Sequence, residues 1–520
     1  MRISTAQFYD ASATSYSKNF SDMAKTNDQV TSGVRIQSAG DDPVGAARLL
    51  VLQQQQALLG QYSGNINTVS NALLQQESVL TTINDALQRA SDLAIRAGGA
   101  GLTDADRTSV SSELKEIEAN VFGLLNSRDA NGNYMFGGSK SATPPYVRNA
   151  DGTYTFQGDQ TQLSLQVSDT LSLATNDSGF SVFDQATNKE RTQSTLTAPS
   201  TDDGKVLLSQ GLMTSTPTYN SRFASGQPYS LNFTSSTQFS ITDASGKDIT
   251  AETTTNGVFD ASTEGGNVVN LRGVEFRVDL ALKPGENADA AVAGHAFKLE
   301  VRPDSLTATR AAGNTSTAQI TGSTISNAAD YHSTFPSGGA VIKFTSDSTY
   351  ELYAQPMTEG AQSIAKGSVA GGAFTVAGVT YQLSDAPKAG DQFSVTANTH
   401  QTQNPLQTLA KLRAVLDAPI DDKNANVDLR NAVSSAVANL ASGRERLDIT
   451  RGSIGARGNS LEIQRQENTS LGVANKTTQD AIGNTDMSQA AITLTLQQAM
   501  LEASQLAFSR VSQLSLFDKL

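Results

Sequence analysis

The 520-residue chain contains no cysteine and no tryptophan. Without cysteine there are no disulfides, no thiolate metal sites and no cysteine nucleophile. Aromatic residues are 6% and charged residues 17% of the total, so a core must be built mostly from aliphatic side chains and alanine. The only histidines, His295, His332 and His400, stand far apart with no carboxylate motif around them, which argues against a zinc or catalytic centre. Basic character is also missing. The formal net charge of -13 argues against nucleic-acid binding and suits a soluble chain whose copies repel one another. No apolar run is long enough to cross a bilayer. The opening Met1-Arg2-Ile3-Ser4-Thr5-Ala6-Gln7-Phe8 lacks the apolar stretch of a secretory signal. The expectation is a cytoplasmic protein, or one exported without a cleaved signal.

Heptad periodicity is present at both ends. Tyr9, Ala13, Tyr16, Phe20, Met23, Val30 and Val34 follow steps of four and three, interrupted by the polar Asn27. Met487, Leu494, Leu501 and Phe508 recur at sevens, with Ile492, Leu496, Ala499, Ala503 and Leu506 beside them. Such a stripe is buried only against a partner helix, so these residues are the candidate assembly interface. The first segment is rich in Ser, Thr and Asn, each costing roughly half a kcal/mol in a helix relative to Ala. It is expected to fold when a partner covers its stripe.

Between the ends, Pro43 opens a second helical stripe: Leu52, Leu59, Tyr62, Ile66, Val69, Leu73, Leu80, Ile83, Leu87, Ala90 and Ala94, with Gln55 and Gln76 as polar interruptions. Thr103 caps a third, with Asp104 and Asp106 in its first turn. Near residue 130 the period changes to two. Asp151-Gly152 marks a hairpin, and alternation such as Val274, Phe276, Val278 and Leu280 continues to about residue 400. Two related β-modules are expected at 222–303 and 335–398. Leu231-Asn232-Phe233-Thr234-Ser235 matches Ile342-Lys343-Phe344-Thr345-Ser346, Gly273-Val274-Glu275-Phe276 matches Gly378-Val379-Thr380-Tyr381, and Gly294 with Phe297 matches Gly390 with Phe393. Helix returns at Asn404-Pro405, then Val433, Leu440, Leu447, Ile454 and Leu461 at sevens, and Asp486 with Gln489 caps the last helix.

Candidate chemistry is thin. Asp41-Asp42 beside Pro43 reads as a turn and helix cap rather than a metal pair. Gly452-Ser453-Ile454-Gly455-Ala456-Arg457-Gly458 lacks the Gly-Lys-Ser/Thr ending and the preceding strand of a phosphate loop; its glycines weaken the helix or permit close packing. Arg444, Arg446, Arg451 and Arg457 read as a solvated or ion-paired face. No catalytic constellation, cofactor motif or metal-ligand set emerges, and the first reading is an assembly protein.

Val30-Thr31-Ser32-Gly33-Val34-Arg35-Ile36-Gln37-Ser38-Ala39-Gly40-Asp41-Asp42-Pro43 resembles the N-terminal hallmark of bacterial flagellins. So does Ile83-Asn84-Asp85-Ala86-Leu87-Gln88-Arg89-Ala90-Ser91-Asp92-Leu93-Ala94. Ile454-Gly455-Ala456 with Asn459 and Leu461, and Gln497-Gln498-Ala499, are similar to the C-terminal region. Within that superfamily Tyr134-Met135-Phe136-Gly137-Gly138-Ser139-Lys140, Thr143-Pro144-Pro145-Tyr146 and the ending Leu514-Ser515-Leu516-Phe517-Asp518-Lys519-Leu520 look most like the hook–filament junction members. The resemblance implies an α+β multidomain fold in which long terminal helices pair as a coiled-coil or bundle rod around an inserted, mostly antiparallel β region. It implies an inner coiled-coil domain from 1–44 and 481–520, a rod from 45–141 and 404–480, and an outer region at 142–403. The implied protein is extracellular, part of the flagellum and exported by the type III apparatus with a chaperone. It would form a ring with copies of itself, touching hook-associated protein 1 on one side and flagellin on the other, with no membrane or nucleic-acid partner. A filament flagellin stays open as the alternative, and a surface adhesin acting through the β region as a remote one.

Overall fold

The computed structural model describes residues 5–99, 102–150, 152–260, 262–263, 266–283, 285–419 and 423–517. The side chain of Tyr9, Asp151 of the expected turn, and the last residues of the 514–520 motif lie outside that description. Six long helices carry the α-structure: α1 (Thr5–Ser32), α2 (Pro43–Ala97), α3 (Asp104–Leu125), α4 (Pro405–Leu416), α5 (Lys423–Gly483) and α6 (Met487–Phe517). Among the described residues no helix is long and apolar enough to cross a membrane. The chain divides into two compact units, one from the described residues of 1–75, 163–175 and 453–520, the other from 76–162 and 176–452.

Local chemistry explains the helix starts. Asp42 Oδ1 accepts the Gly45 amide at 2.9 Å, and Pro43 opens α2 with its fixed φ. Thr103 and Asp106 form a reciprocal capping box on α3. Asn404 accepts the Leu406 amide, with Pro405 opening α4. Asp486 caps α6 by accepting the Ser488 and Gln489 amides, so Gln489 contributes its backbone to the cap.

In the first unit, the early part of α2 runs antiparallel to the late part of α5. Asn468 Nδ2 donates to the Leu59 carbonyl at 2.8 Å, and Asn475 Nδ2 to the Leu52 carbonyl at 3.0 Å. Both asparagines continue the seven-residue register of Val433 to Leu461, a placement that fixes helix register at some cost in stability. A hairpin of β3 (Ser164–Gln166) and β4 (Ser172–Ala174) belongs to this unit. Tyr62 donates to Asp169 at 2.8 Å and Arg457 to the Ala174 carbonyl at 3.1 Å. A Cβ added at Gly452, Gly455 or Gly458 would meet open space, so within this chain those glycines permit no close packing. On the arginine face, Arg444 reaches the Asn84 amide oxygen, Arg446 and Arg457 reach backbone carbonyls, and Arg451 pairs with Asp448.

In the second unit the remaining helical segments bury Leu80, Ile83, Leu87, Leu114, Val121, Leu409, Leu412, Leu440 and Leu447. Glu118, with its side chain 3% exposed, joins α3 to α4 by an ion pair to Arg413 at 2.6 Å and accepts the Tyr154 hydroxyl. Tyr154 lies in the hairpin of β1 (Tyr146–Arg148) and β2 (Tyr154–Phe156), where the expected hairpin forms.

The rest of this unit is two β-modules with one strand plan. The first comprises β5 (Thr192–Ala198), β6 (Val206–Leu208), β7 (Leu212–Met213), β8 (Tyr229–Phe233), β9 (Phe239–Thr242), β10 (Asn267–Leu271), β11 (Val274–Leu280) and β12 (Ala296–Val301). The second comprises β13 (Ser305–Arg310), β14 (Ile320–Ile325), β15 (Ala340–Phe344), β16 (Thr349–Ala354), β17 (Ala365–Ser368), β18 (Ala373–Val376), β19 (Val379–Leu383) and β20 (Gln392–Asn398). One sheet runs β5-β12-β8-β9 in the first module and β13-β20-β15-β16-β17 in the second; the other runs β10-β11-β6 and β18-β19-β14. Every pairing is antiparallel among the described strands. The bounds 222–303 and 335–398 therefore cut off the opening strands of both modules, because β5 pairs with β12 and β13 with β20. These strands are short alternating runs without the aromatic motif that marks the later ones. Small details repeat too. Tyr219 and Tyr331 each bond, through the hydroxyl, to the residue just before or near the opening strand (the Arg191 carbonyl and Asp304). Gly273 and Gly378 each take a positive φ in a tight hairpin, at +85° and +72°.

Candidate assembly site

The helix α1 is made of residues that favour other structures, and the structure shows how they are accommodated. Thr14, Thr26, Thr31 and Ser32 bond their hydroxyls to the carbonyl four residues back, which satisfies the hydroxyl without adding helix stability. Its support comes from α6, packed antiparallel. Asn19 Nδ2 donates to Ser504 Oγ at 2.7 Å, Gln505 Nε2 to the Tyr16 hydroxyl at 3.2 Å, and the Tyr16 and Phe508 rings stack with centroids 6.4 Å apart.

At the far end of the pair the segment from Val30 to Pro43 ties the end of α1 to the start of α6. The Arg35 amide donates to the Gly483 carbonyl at 2.7 Å, the Thr485 amide to the Gly33 carbonyl at 2.9 Å, and Val34 bridges Asn484. The Arg35 guanidinium reaches the Ile482 carbonyl at 2.7 Å. Lys25 sits 2.6 Å from Asp41, which also accepts the Gln37 and Ser38 amides. The Lys25 ammonium foremost, then the Ser38 groups, hold the Asp41 carboxyl down to about 2. Asp41 and Asp42 thus serve as a turn anchor and a helix cap.

The expected single stripe is resolved into two faces. The covered face of α1 runs Tyr16, Asn19, Met23, Thr26 and Val30; that of α6 runs Ala490, Leu494, Gln497, Leu501, Ser504 and Phe508. Of the candidate residues, Tyr16, Met23, Val30, Leu494, Leu501 and Phe508 lie on this seam. Phe20 does not: Asn19 takes that level and leaves Phe20 52% exposed. Met487 is also open, because at its level α1 has ended and Gly33 offers no side chain. The polar seam members Asn19, Thr26, Gln497 and Ser504 were missed by counting apolar residues alone. Their steps of three and four from Tyr16 and Phe508 were the available signal.

A second face of α6 stays open. Ile492, Leu496, Ala499, Ala503 and Leu506 also step by four and three, and all are exposed, as is Met500. A helix with one such seam is satisfied by one partner; a helix with two needs a second. Covering an Ile, Leu or Met side chain of this kind contributes about 1.5–3 kcal/mol.

The histidines form no shared site. His295 is buried between the Val292 carbonyl and Asp203, His332 packs on Tyr331, and burial foremost lowers the pKa of His400.

Comparison with known proteins bears on the terminal regions. Residues 3–141 match the bacterial flagellin N-terminal helical region. The flagellar hook-associated protein 3 of Salmonella typhimurium is 29% identical over 188 residues, 36% of this chain. The chain spans 58% of that relative's length. A flagellin of Salmonella muenchen is 25% identical over 480 residues, covering 84% of this chain and 88% of its own. Among solved structures, the flagellar junction protein FlgL of Legionella pneumophila is 17% identical and covers 84% of this chain and 100% of its own, with a TM-score of 0.49.

Proposed function

From a chain that carries the bacterial flagellin N-terminal helical region and is similar to flagellar hook-associated protein 3, we propose a structural, non-catalytic adaptor of the flagellum that joins hook to filament. The observation that carries the reading is the second heptad face of α6, apolar and open beside a seam already filled by α1. Neighbouring copies supply the missing cover. The terminal helices travel through the export apparatus weakly folded, then gain stability as their open face is buried between subunits. Phe20 and Met487 are assigned to contacts between chains, Tyr16, Met23, Val30, Leu494, Leu501 and Phe508 to the pair within a chain, and Tyr9 to the same interface on its heptad spacing alone. The partners are further copies, hook-associated protein 1, flagellin and an export chaperone, at an extracellular site. The domain limits 1–44 with 481–520, 45–141 with 404–480, and 142–403 are proposed as the inner, rod and outer parts.

A filament flagellin is the second reading, favoured by the long match to the Salmonella muenchen flagellin. Deleting the gene in its host separates the two. Bare hooks with flagellin released into the medium support the adaptor. Loss of flagellin itself, with junction proteins intact on the hooks, makes this chain the filament subunit, and normal filaments overturn both.

A further inference from the structure

A cleft of about 920 Å³ opens in the second unit, within the range of small-molecule sites. One wall comes from the second β-module, through Gly338, Gln355 and Asn398; the other comes from the segments around Phe156, Phe180 and Gln407. Its lining has an unusual chemistry. Phe156 and Phe180 stand with ring centroids 6.2 Å apart and planes tilted by 43°. Around them are the primary amides of Gln160, Gln185, Gln355 and Gln407. Among the described lining residues there is no lysine, arginine or histidine.

That lining discriminates between ligand classes. Without a cationic side chain it offers a phosphate or carboxylate no charge-assisted hydrogen bond. The two carboxylates are already engaged and do not make a cation site. Asp159 accepts the Ser139 and Thr161 amides, while Asp184 accepts the Tyr146 hydroxyl at 2.6 Å and the Asn404 amide at 2.9 Å. Two phenyl rings are too little apolar surface for a greasy ligand in a cleft this large. A primary amide offers donors and an acceptor together, the complement of a hydroxyl, which is both donor and acceptor. The side chains of Gln160 and Gln185 make no hydrogen bond among the described residues, and Gln355 Oε1 is buried without a partner. Aromatic faces beside such amides suit a sugar ring, whose C–H groups pack on a π-face while its hydroxyls bond outward.

We propose that this cleft is a binding site for a neutral oligosaccharide, held by stacking on Phe156 and Phe180 and by hydroxyl bonds to Gln160, Gln185 and Gln355. The site is independent of the terminal helices and of the adaptor reading. The test is titration of the full-length protein with chitotriose, cellotriose and maltotriose, followed by saturation-transfer NMR and calorimetry, with sialyllactose and a Gly-Ser heptapeptide as acidic and peptide controls. Saturable binding of at least one neutral trisaccharide is expected, and the double variant Gln160→Ala/Gln185→Ala, which removes no side-chain hydrogen bond among the described residues, should weaken it about ten-fold or more. A second variant, Phe180→Ala, should reduce saturation transfer at the sugar-ring protons, with circular dichroism confirming the fold. No saturable binding by any of the three, equal binding by the double variant, or preference for the peptide or the acidic sugar would overturn the proposal.

Discussion

The β-modules and the terminal helix pair solve the same problem in opposite ways. Each module closes its own core. Phe233, Phe239, Phe259 and Phe297 pack together in the first, as do Phe344, Tyr350, Phe374, Tyr381 and Phe393 in the second, all buried. The α1–α6 pair leaves Phe20, Ile492, Leu496, Met500 and Leu506 in water. Two stacked sheets can bury both inner faces against each other. Two helices cover one stripe each, and the second stripe of α6 stays exposed in the single chain. On the adaptor reading, the difference separates a part with a closed core from a part whose open face is covered on assembly.

The sharpest way to break that comparison is Leu501→Asp, which places a charge inside the α1–α6 seam. It should abolish attachment of filaments to hooks and reduce helical circular dichroism, while the thermal transition of the β-modules is unmoved. A shifted β transition would show that the two parts are not energetically separate. Phe344→Ala tests the other side. Removing a fully buried ring should cost about 3–5 kcal/mol in urea unfolding of the second module and leave assembly intact at low temperature. Gly378→Ala should cost less, on the order of 1–3 kcal/mol. Its φ is +72° and an added Cβ would press on the Asn327 carbonyl oxygen and the Tyr331 amide nitrogen, whereas at Gly273 the nearest atom, the Tyr219 amide nitrogen, is 2.9 Å away. The milder Gly273→Ala would test how far the repeat extends into energetics.

Leu496→Ser sharpens the comparison from the open side. Because Leu496 is exposed, the single chain should change by no more than about 0.5 kcal/mol, yet sedimentation should show weaker self-association and motility should fall. Equal assembly by the variant would remove the second face from the interface. The smallest effect belongs to Asp41. Its carboxyl is lowered from 3.8 to about 2 in the folded chain, so it adds stability above pH 3.8 and loses it as pH falls through about 2. Asp41→Asn should lower helix stability at neutral pH while flattening its decline between those values. An unchanged acid limb would mean that the Lys25–Asp41 tie does not persist in solution.

Much of this was legible in the chain. Leu440, Leu447, Ile454 and Leu461 sit at sevens and are buried, as the spacing predicts, because residues seven apart fall on one face of a helix. The caps at Asp42, Thr103, Asn404 and Asp486 follow from side chains that can reach an amide two or three residues on. The Gly-Val-x-aromatic signature reported the later strands of both modules. The opening strands β5 and β13 were illegible, since their partners stand about a hundred residues away and their sequence has no signature of its own. At the candidate assembly site the apolar stripe was visible, but its division was not. Phe20 and Asn19 compete for one level of the seam, and the winner depends on Ser504 across the interface.

By itself the sequence determined the helices, their caps, their heptad registers and the two-residue period of the middle, because each depends on neighbours a few residues apart. Only the tertiary structure decided which of two apolar faces on α6 is covered, how Arg35 and Gly33 tie the chain ends together, and where the β-modules begin. It also brought Phe156, Gln355 and Gln407 to one cleft. Those outcomes rest on contacts between segments separated by tens to hundreds of residues, and no local spacing encodes which distant surface arrives.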